Sequence, residues 1–194
     1  MITRRRFVSN SAAVSAALAL APSARFAFGQ GGPATYRNPI LGGDHPDASP
    51  LRVGNDFYLT HSSFDYAPGL TIWRSSDLIN WRPVAAALHS FRGIVWAPYL
   101  CEHQGHFYIY YPAGGELCVV HAERPEGPWS DPIDLGIRAI DPAHIAENGR
   151  RYLYMAGGRM AELNADGLSV KTPPRTVLEP WPVPPETRME CVCM

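Results

Sequence analysis

Three residues able to act on a substrate stand at matching places along the chain: Asp47, Trp96 and Asp141. Each lies within two residues of a proline at the start of a predicted strand. Two carboxylates that meet in one pocket can pass protons to and from a substrate, and the face of an indole can stack on a flat apolar group. This chemistry requires a fold that brings the three side chains together.

A repeating strand pattern places these residues in register. Aromatic segments start at Phe57, Phe107 and Tyr152, which lie 50 and then 45 residues apart. The two aspartates, and the Trp96-Ala97 pair between them, precede those starts by 10 or 11 residues. A four-stranded propeller blade takes a similar number of residues, and the first strand of each blade lines the central channel. The repeat therefore predicts that the two carboxylates and the indole converge from distant parts of the sequence.

Length and composition fit an all-β propeller that continues beyond this chain. The sequence has 194 residues, 46% hydrophobic and 18% charged, with 19 Pro and 17 Gly, which is typical of a soluble fold rich in turns. The predicted blades run over residues 45–90, 95–135 and 140–178. Because closed propellers usually have four to eight blades, three blades predict the N-terminal part of a longer protein. Residues 179–194 are interpreted as a connection to the rest.

The first thirty residues are predicted to be an export signal rather than part of the fold. Thr3-Arg4-Arg5-Arg6-Phe7 is a twin-arginine pattern, and an apolar, alanine-rich run follows from Ala12 to Ala21. The run is short for a membrane span, and an N-terminal membrane anchor is the alternative. Cleavage after Ser23 or Gly29 would release a periplasmic or secreted protein.

The mature part is acidic and lacks the motifs of several other functional classes. Removal of residues 1–30 takes away four Arg and leaves 13 basic against 18 acidic residues, a net charge of −5. Neither nucleic acid nor an anionic membrane is therefore an expected partner. No zinc-protease, phosphate-loop or nucleophile-elbow motif is present, and no metal or other cofactor is identifiable from the sequence. The four cysteines are expected to be free thiols: Cys101, Cys118, Cys191 and Cys193.

Several motifs together resemble glycoside hydrolase family 43. They occur in family order along nearly the whole mature chain: Asn38-Pro39-Ile40, His45-Pro46-Asp47-Ala48-Ser49, Asp77-Leu78-Ile79-Asn80-Trp81, Val95-Trp96-Ala97-Pro98, Gly127-Pro128-Trp129 and Ile140-Asp141-Pro142. The resemblance implies a five-bladed β-propeller, with about three blades in residues 31–194. It is strongest to the β-xylosidase and α-L-arabinofuranosidase members. Two departures are Ala48, where proline is commoner, and Tyr99, where the family often has an acidic residue.

The resemblance also implies a reaction and assigns roles in it. Inverting hydrolysis of O-glycosidic bonds needs a base that activates water and an acid that protonates the leaving oxygen, about 6.5–9.5 Å apart. Asp47 matches the family's base. Asp141 matches its third carboxylate, which keeps the pKa of the acid high by like-charge repulsion. The acid itself is expected beyond residue 194, with Glu190 a weak candidate. The family's occasional axial calcium would have its ligands on blades that this chain lacks.

Each assignment has an alternative at this stage. Asp47 can be a turn carboxylate and Asp141 a cap at the start of a strand. Trp96 is interpreted as a substrate platform or as a blade-packing residue, and His45 as an edge of the pocket with an open role. For the whole protein, the expected function is hydrolysis of xylose- or arabinose-containing plant polysaccharides or oligosaccharides. The alternative is a non-catalytic carbohydrate-binding propeller or an inactive truncated fragment.

Overall fold

The structure is a computed structural model, and it describes residues 35–179. These residues form twelve β-strands in three four-stranded antiparallel sheets, and no helix occurs among them. The prediction of an all-β fold with three propeller blades is confirmed. Within the described range, no helix is long and apolar enough to span a membrane. The predicted export signal, Glu190, Cys191 and Cys193 lie outside the described residues.

Each sheet is a meander in which every strand pairs with the next one in sequence. Blade one contains β1 (Ser49–Val53), β2 (Asp56–Thr60), β3 (Gly69–Ser75) and β4 (Arg82–Leu88). Blade two contains β5 (Tyr99–His103), β6 (His106–Ala113), β7 (Glu116–Ala122) and β8 (Ile133–Asp134). Blade three contains β9 (Ala143–Glu147), β10 (Arg150–Met155), β11 (Arg159–Leu163) and β12 (Arg175–Thr176).

Two-residue turns join the first two strands of each blade. In blades two and three both turn residues have positive φ: 52° and 79° at Gln104-Gly105, and 51° and 74° at Asn148-Gly149. Such turns match the right-handed twist of the strands that they connect. Blade three also has a turn at Asp166-Gly167, in which the Gly167 amide donates to the Asn164 carbonyl oxygen at 2.9 Å.

The middle blade is buried on both faces and joins the other two. Along β6, Phe107, Ile109 and Tyr111 pack with the hydrophobic core of blade one. The alternate residues Tyr108 and Tyr110 pack with that of blade three. Because side chains alternate between the faces of a strand, one strand contributes to both core layers. Blades that pack face to face in this way hold the strand ends of neighbouring blades in fixed relation.

Strand pairing corrects the predicted register of the third blade. Ser49 pairs with Thr60, and the equivalent pairs are Tyr99 with Tyr110 and Ala143 with Tyr154. Arg151, and not Tyr152, therefore stands where Phe57 and Phe107 stand in the first two blades, so the sequence alignment was wrong by one residue there. With this register, Asp47, Ala97 and Asp141 each lie two residues before the first strand of a blade.

Tryptophan and cysteine side chains differ in burial. Trp129 is buried in the core, whereas Trp73 and Trp81 are only half-buried. Cys101 and Cys118 are free thiols, which confirms the prediction for these two. Burial raises the pKa of the Cys101 thiol to about 12, so it is a packing residue and not a nucleophile.

Candidate active site

The residues before the three first strands share an unusual backbone conformation. The φ angle is 55° at Asp47, 24° at Ala97 and 55° at Asp141. Residues other than glycine rarely adopt positive φ, and such conformations persist where the surrounding structure enforces them, often at functional sites. The first strands also contact one another, β1 with β5 and β5 with β9. The fold therefore presents one equivalent residue from each blade at the entry to adjacent strands.

Backbone hydrogen bonds hold these strand entries against the ends of the second strands. The Ser62 amide donates to the Pro46 carbonyl oxygen at 3.0 Å, and the Ala156 amide donates to that of Ile140 at 3.0 Å. The middle blade has Pro112 at the equivalent position, which has no N–H to donate. There the direction is reversed, and the Trp96 amide donates to the Pro112 carbonyl oxygen at 3.2 Å.

The Asp47 carboxylate is exposed and is fixed by a buried hydroxyl. The Ser62 hydroxyl donates to Asp47 Oδ2 at 2.5 Å, and Ser62 itself is only 1% exposed. The same Ser62 oxygen accepts a hydrogen bond from the Ala97 amide at 2.7 Å. The solvent-exposed carboxylate of Asp47 is thus linked through Ser62 to the Ala97 amide, at the entry to the first strand of blade two.

Asp141 differs from Asp47 in its surroundings. Its side chain is half-buried, whereas that of Asp47 is exposed. Both are carboxylates on equivalent backbone positions at the inner strands of blades one and three. A carboxylate such as Asp141 raises the pKa of an acid placed beside it by like-charge repulsion. An exposed carboxylate such as Asp47 can contact a water molecule and a substrate.

A histidine pair lies beside the Asp47 strand entry. His45 Nδ1 and His61 Nε2 are 3.0 Å apart, His45 Nε2 is 3.2 Å from the Gly42 carbonyl oxygen, and His61 Nδ1 is 2.7 Å from that of Ser62. Each of these three contacts needs an N–H donor to be a hydrogen bond, and two neutral imidazole rings carry only two N–H groups. While both rings are neutral, at most two of the three contacts are therefore hydrogen bonds. Burial lowers the pKa of His61. Both ring nitrogens of His45 face protein atoms, so its predicted role at the edge of the pocket stays a prediction.

The Trp96 side chain is 45% exposed and stands next to Ala97. Its loop is joined to blade one by the bridge between Phe64 and Val95, in which each amide donates to the other's carbonyl oxygen at 2.9 and 3.0 Å. Trp96 occupies the place of Pro46 and Ile140 in the repeat, one residue before the aspartate positions. Its predicted role as a substrate platform stays a prediction, for which an accessible ring is a requirement.

Metal binding finds no support in the part of the chain that the structure describes. No group of three or more His, Cys, Asp or Glu side chains lies close enough to hold an ion among residues 35–179. The calcium implied by the family resemblance was expected to bind on blades that this chain lacks, so it stays a prediction.

Two of the three blades carry a carboxylate two residues before the first strand, Asp47 in blade one and Asp141 in blade three. The comparison with family models identifies the family: the model described as glycosyl hydrolases family 43 matches residues 36–191. The chain belongs to this family.

Curated and solved relatives agree with that assignment. The chain is 40% identical over 134 residues to the non-reducing end alpha-L-arabinofuranosidase BoGH43B of Bacteroides ovatus, which is 61% of this chain and 25% of that protein. It is 35% identical over 178 residues to a xylan 1,3-beta-xylosidase of a Vibrio species, 75% of this chain and 33% of that protein. A crystal structure of xylan beta-1,4-xylosidase from Bacillus halodurans matches with a TM-score of 0.64 and 32% identity, over 75% of this chain and 34% of that one. The chain thus spans a quarter to a third of the length of these relatives.

Sequence reasoning singled out the two aspartates and the Trp96-Ala97 pair, but it missed Ser62 and the hydrogen bond from the Ala97 amide. Ser62 lies 15 residues after Asp47, and the equivalent positions in the other blades hold Pro112 and Ala156. A serine where the other two blades have proline and alanine is a signal that comparing the ends of the second strands would have shown.

Proposed function

We propose that the whole protein hydrolyses O-glycosidic bonds in xylose- or arabinose-containing plant polysaccharides or oligosaccharides, with inversion at the anomeric carbon. Asp47 is the general base, and Asp141 is the carboxylate that tunes the general acid. One observation carries the proposal: an exposed Asp47 carboxylate, held by buried Ser62, occupies the same unusual backbone position as Asp141 two blades away.

The proposed reaction uses Asp47 to activate one water molecule. As the water oxygen attacks the anomeric carbon from the face opposite the leaving group, the Asp47 carboxylate takes its proton. The general acid gives a proton to the glycosidic oxygen as the bond from that oxygen to the anomeric carbon breaks. No residue among 35–179 is assigned as this acid. Its predicted place is beyond residue 194, with Glu190 the weak alternative.

The substrate class rests on the relatives. Two of them carry names that state action at arabinofuranosyl or xylosyl linkages. An exposed indole such as that of Trp96 can bind a pentose, because an aromatic face stacks on the apolar face of a sugar ring. Trp96 is therefore proposed as a substrate-binding residue.

Export through the twin-arginine route is part of the proposal, with the mature protein in the periplasm or outside the cell. The supporting feature is the Thr3-Arg4-Arg5-Arg6-Phe7 pattern ahead of an apolar run. Replacing Arg4 and Arg5 by lysine should leave precursor in the cytoplasm, as fractionation and immunoblotting would show. Normal export of this double variant would disprove the route.

Hydrolysis and its stereochemistry can be followed together. The whole protein is incubated with p-nitrophenyl β-D-xyloside and p-nitrophenyl α-L-arabinofuranoside while proton NMR records the first anomer released. The proposal predicts release of a pentose with inverted configuration. Retention would contradict the proposed role of Asp47, and binding without turnover would favour a carbohydrate-binding propeller.

A further inference from the structure

Ser62 is placed between the proposed base and the neighbouring blade. It lies just past the end of β2, its side chain is 1% exposed, and the main-chain N–H is already used by the Pro46 carbonyl oxygen. Its hydroxyl contacts two groups, Asp47 Oδ2 at 2.5 Å and the Ala97 amide at 2.7 Å. A buried hydroxyl with two partners has a defined orientation, unlike a hydroxyl on the surface.

The direction of both hydrogen bonds follows from the donors. The Ala97 amide can only donate, so the Ser62 oxygen accepts there. A carboxylate can only accept, so the Ser62 O–H points at Asp47 Oδ2. The amide of blade two therefore sets the direction of the hydroxyl in blade one, and the hydroxyl sets the position of the carboxylate. Hydrogen bonds to a charged acceptor are among the stronger ones.

The backbone at Ala97 is unusual as well. A φ of 24° is the smallest positive value among the three equivalent residues, and alanine gains no side-chain hydrogen bond in return. The N–H of the same residue donates to the Ser62 oxygen at 2.7 Å. A strained residue that serves a hydroxyl on the next blade is a candidate for a functional constraint.

We propose that Ser62 is a positioning residue for hydrolysis: the Ala97 amide orients its hydroxyl, which holds Asp47 Oδ2 and leaves Oδ1 to take the proton from water. This inference rests on the proposed function of Asp47. General-base catalysis needs the carboxylate within hydrogen-bond reach of the attacking water. A carboxylate free to rotate would spend part of its time in other orientations, and small misplacements of reacting groups lower rates strongly.

Two Ser62 variants and a matched control test this. Ser62→Ala removes the hydroxyl, and Ser62→Cys replaces it with a larger thiol that is a much weaker donor. Ser63→Ala is the control, because Ser63 is the next residue, is also buried, and its hydroxyl oxygen accepts from the Leu70 amide at 3.2 Å without contacting Asp47. Each is measured in the whole protein on p-nitrophenyl pentosides, together with its melting temperature.

Both Ser62 variants should lower kcat by about 10- to 100-fold while KM changes less than threefold, because positioning acts on the reaction step. Ser63→Ala should keep kcat within about twofold of the wild type. Equal losses in the Ser62 and Ser63 variants that follow their melting temperatures would show a structural role only and overturn the inference.

A double-mutant cycle with Asp47→Asn separates this inference from the proposed function. If Ser62 acts through Asp47, Ser62→Ala should lower kcat further by less than about twofold when Asp47 is already Asn. The same fold-loss in both backgrounds would overturn the role of Ser62 and leave the role of Asp47 intact. Near wild-type activity of Asp47→Asn alone would instead remove the proposed function on which the inference rests.

Discussion

Two polar clusters in this chain contrast in what their side chains face. In the first, buried Ser62 presents the carboxylate of Asp47 to solvent. In the second, Arg151 is 2% exposed and turns inward. In the first cluster a buried hydroxyl, that of Ser62, orients one exposed carboxylate. In the second cluster the charged group itself, the Arg151 guanidinium, is buried.

The Arg151 cluster connects blade three with blade two. Its guanidinium donates to His144 Nε2 at 3.1 Å, to the Tyr110 hydroxyl at 3.1 Å and to the Ala165 carbonyl oxygen at 3.2 Å. The Tyr110 hydroxyl in turn donates to the Gly167 carbonyl oxygen at 3.0 Å. The Arg151 guanidinium carbon also lies 4.2 Å from the centroid of the Tyr108 ring, within the range of a cation–π contact.

The contrast teaches that polarity inside a propeller can serve either chemistry or assembly. A group that faces solvent from an enforced backbone position is available to a substrate. A buried charged group that donates to protein acceptors on two blades, as Arg151 does, holds the fold. Substitutions in the first cluster should therefore change activity more than stability, and those in the second the reverse.

The largest effect is expected at Asp47. Asp47→Asn keeps the shape of the side chain and removes the base, so kcat/KM should fall about a thousandfold or more, near the upper part of the range for general-base catalysis. The melting temperature should change little because the asparagine carbonyl can still accept the hydrogen bond from the Ser62 hydroxyl. Calorimetry beside the activity assay checks both, and a large loss of stability would remove the contrast with the Arg151 cluster.

Arg151 should show the opposite balance. Arg151→Met keeps most of the side-chain stem but leaves His144 Nε2 and the Ala165 carbonyl oxygen without their donor, at a cost of about 2–4 kcal/mol in the free energy of unfolding. Urea unfolding of the whole protein should show a lower midpoint. Tyr110→Phe, which removes one hydroxyl, is the graded control and should cost about 1 kcal/mol. Unchanged midpoints in both variants would show that the cluster does not hold the blades together.

The same cluster predicts a dependence of stability on pH at His144. Burial, with the nearby charge of Arg151 and of His103, lowers the pKa of His144 from 6.5 to about 4. Between pH 6.5 and 4 the unfolded chain binds a proton at this site and the folded one does not, so the stability contribution falls as the pH falls through that window. Above pH 6.5 and below pH 4 the contribution of His144 is level.

Unfolding midpoints at pH 7, 5 and 4 for the wild type and His144→Gln isolate that contribution. The glutamine carbonyl can still accept a hydrogen bond from Arg151, but it does not titrate. The variant should lose less stability than the wild type between pH 7 and 4. Parallel curves would contradict the assignment of a neutral His144 in the folded protein.

The fold could be predicted because local sequence patterns indicate its strands and turns. Turn pairs such as Asn148-Gly149 and alternating strand residues mark each blade without any knowledge of distant contacts. The one-residue error in blade three has a physical cause. In β10 it is Arg151, Leu153 and Met155 that are buried, while Tyr152 is half-buried, so matching aromatic residue types selected the wrong face of the strand.

The candidate site was predictable only in part for the same reason. Asp47 and Asp141 follow from the repeat and the family resemblance. The Ser62 hydroxyl accepts a hydrogen bond from a main-chain amide 35 residues away, that of Ala97. Nearly every residue type has such an amide, so the residue at position 97 gives no sign of this contact. Likewise a buried arginine such as Arg151 is exceptional, and only the three acceptors around it explain its burial.

The central claim is that Asp47 and Asp141 do different work at equivalent positions, and one comparison tests it directly. The kcat/KM values of Asp47→Asn and Asp141→Asn are measured in the whole protein on an aryl pentoside with a good leaving group and on a natural oligosaccharide. For Asp47→Asn, kcat/KM should fall strongly on both substrates, because attack by water is needed whatever the leaving group is. Asp141→Asn should be partly rescued on the aryl substrate, which needs little help from an acid, and its pH optimum should move down as the acid loses a negative neighbour. Near wild-type rates for Asp47→Asn on both substrates would show that Asp47 is a turn residue and would contradict the account.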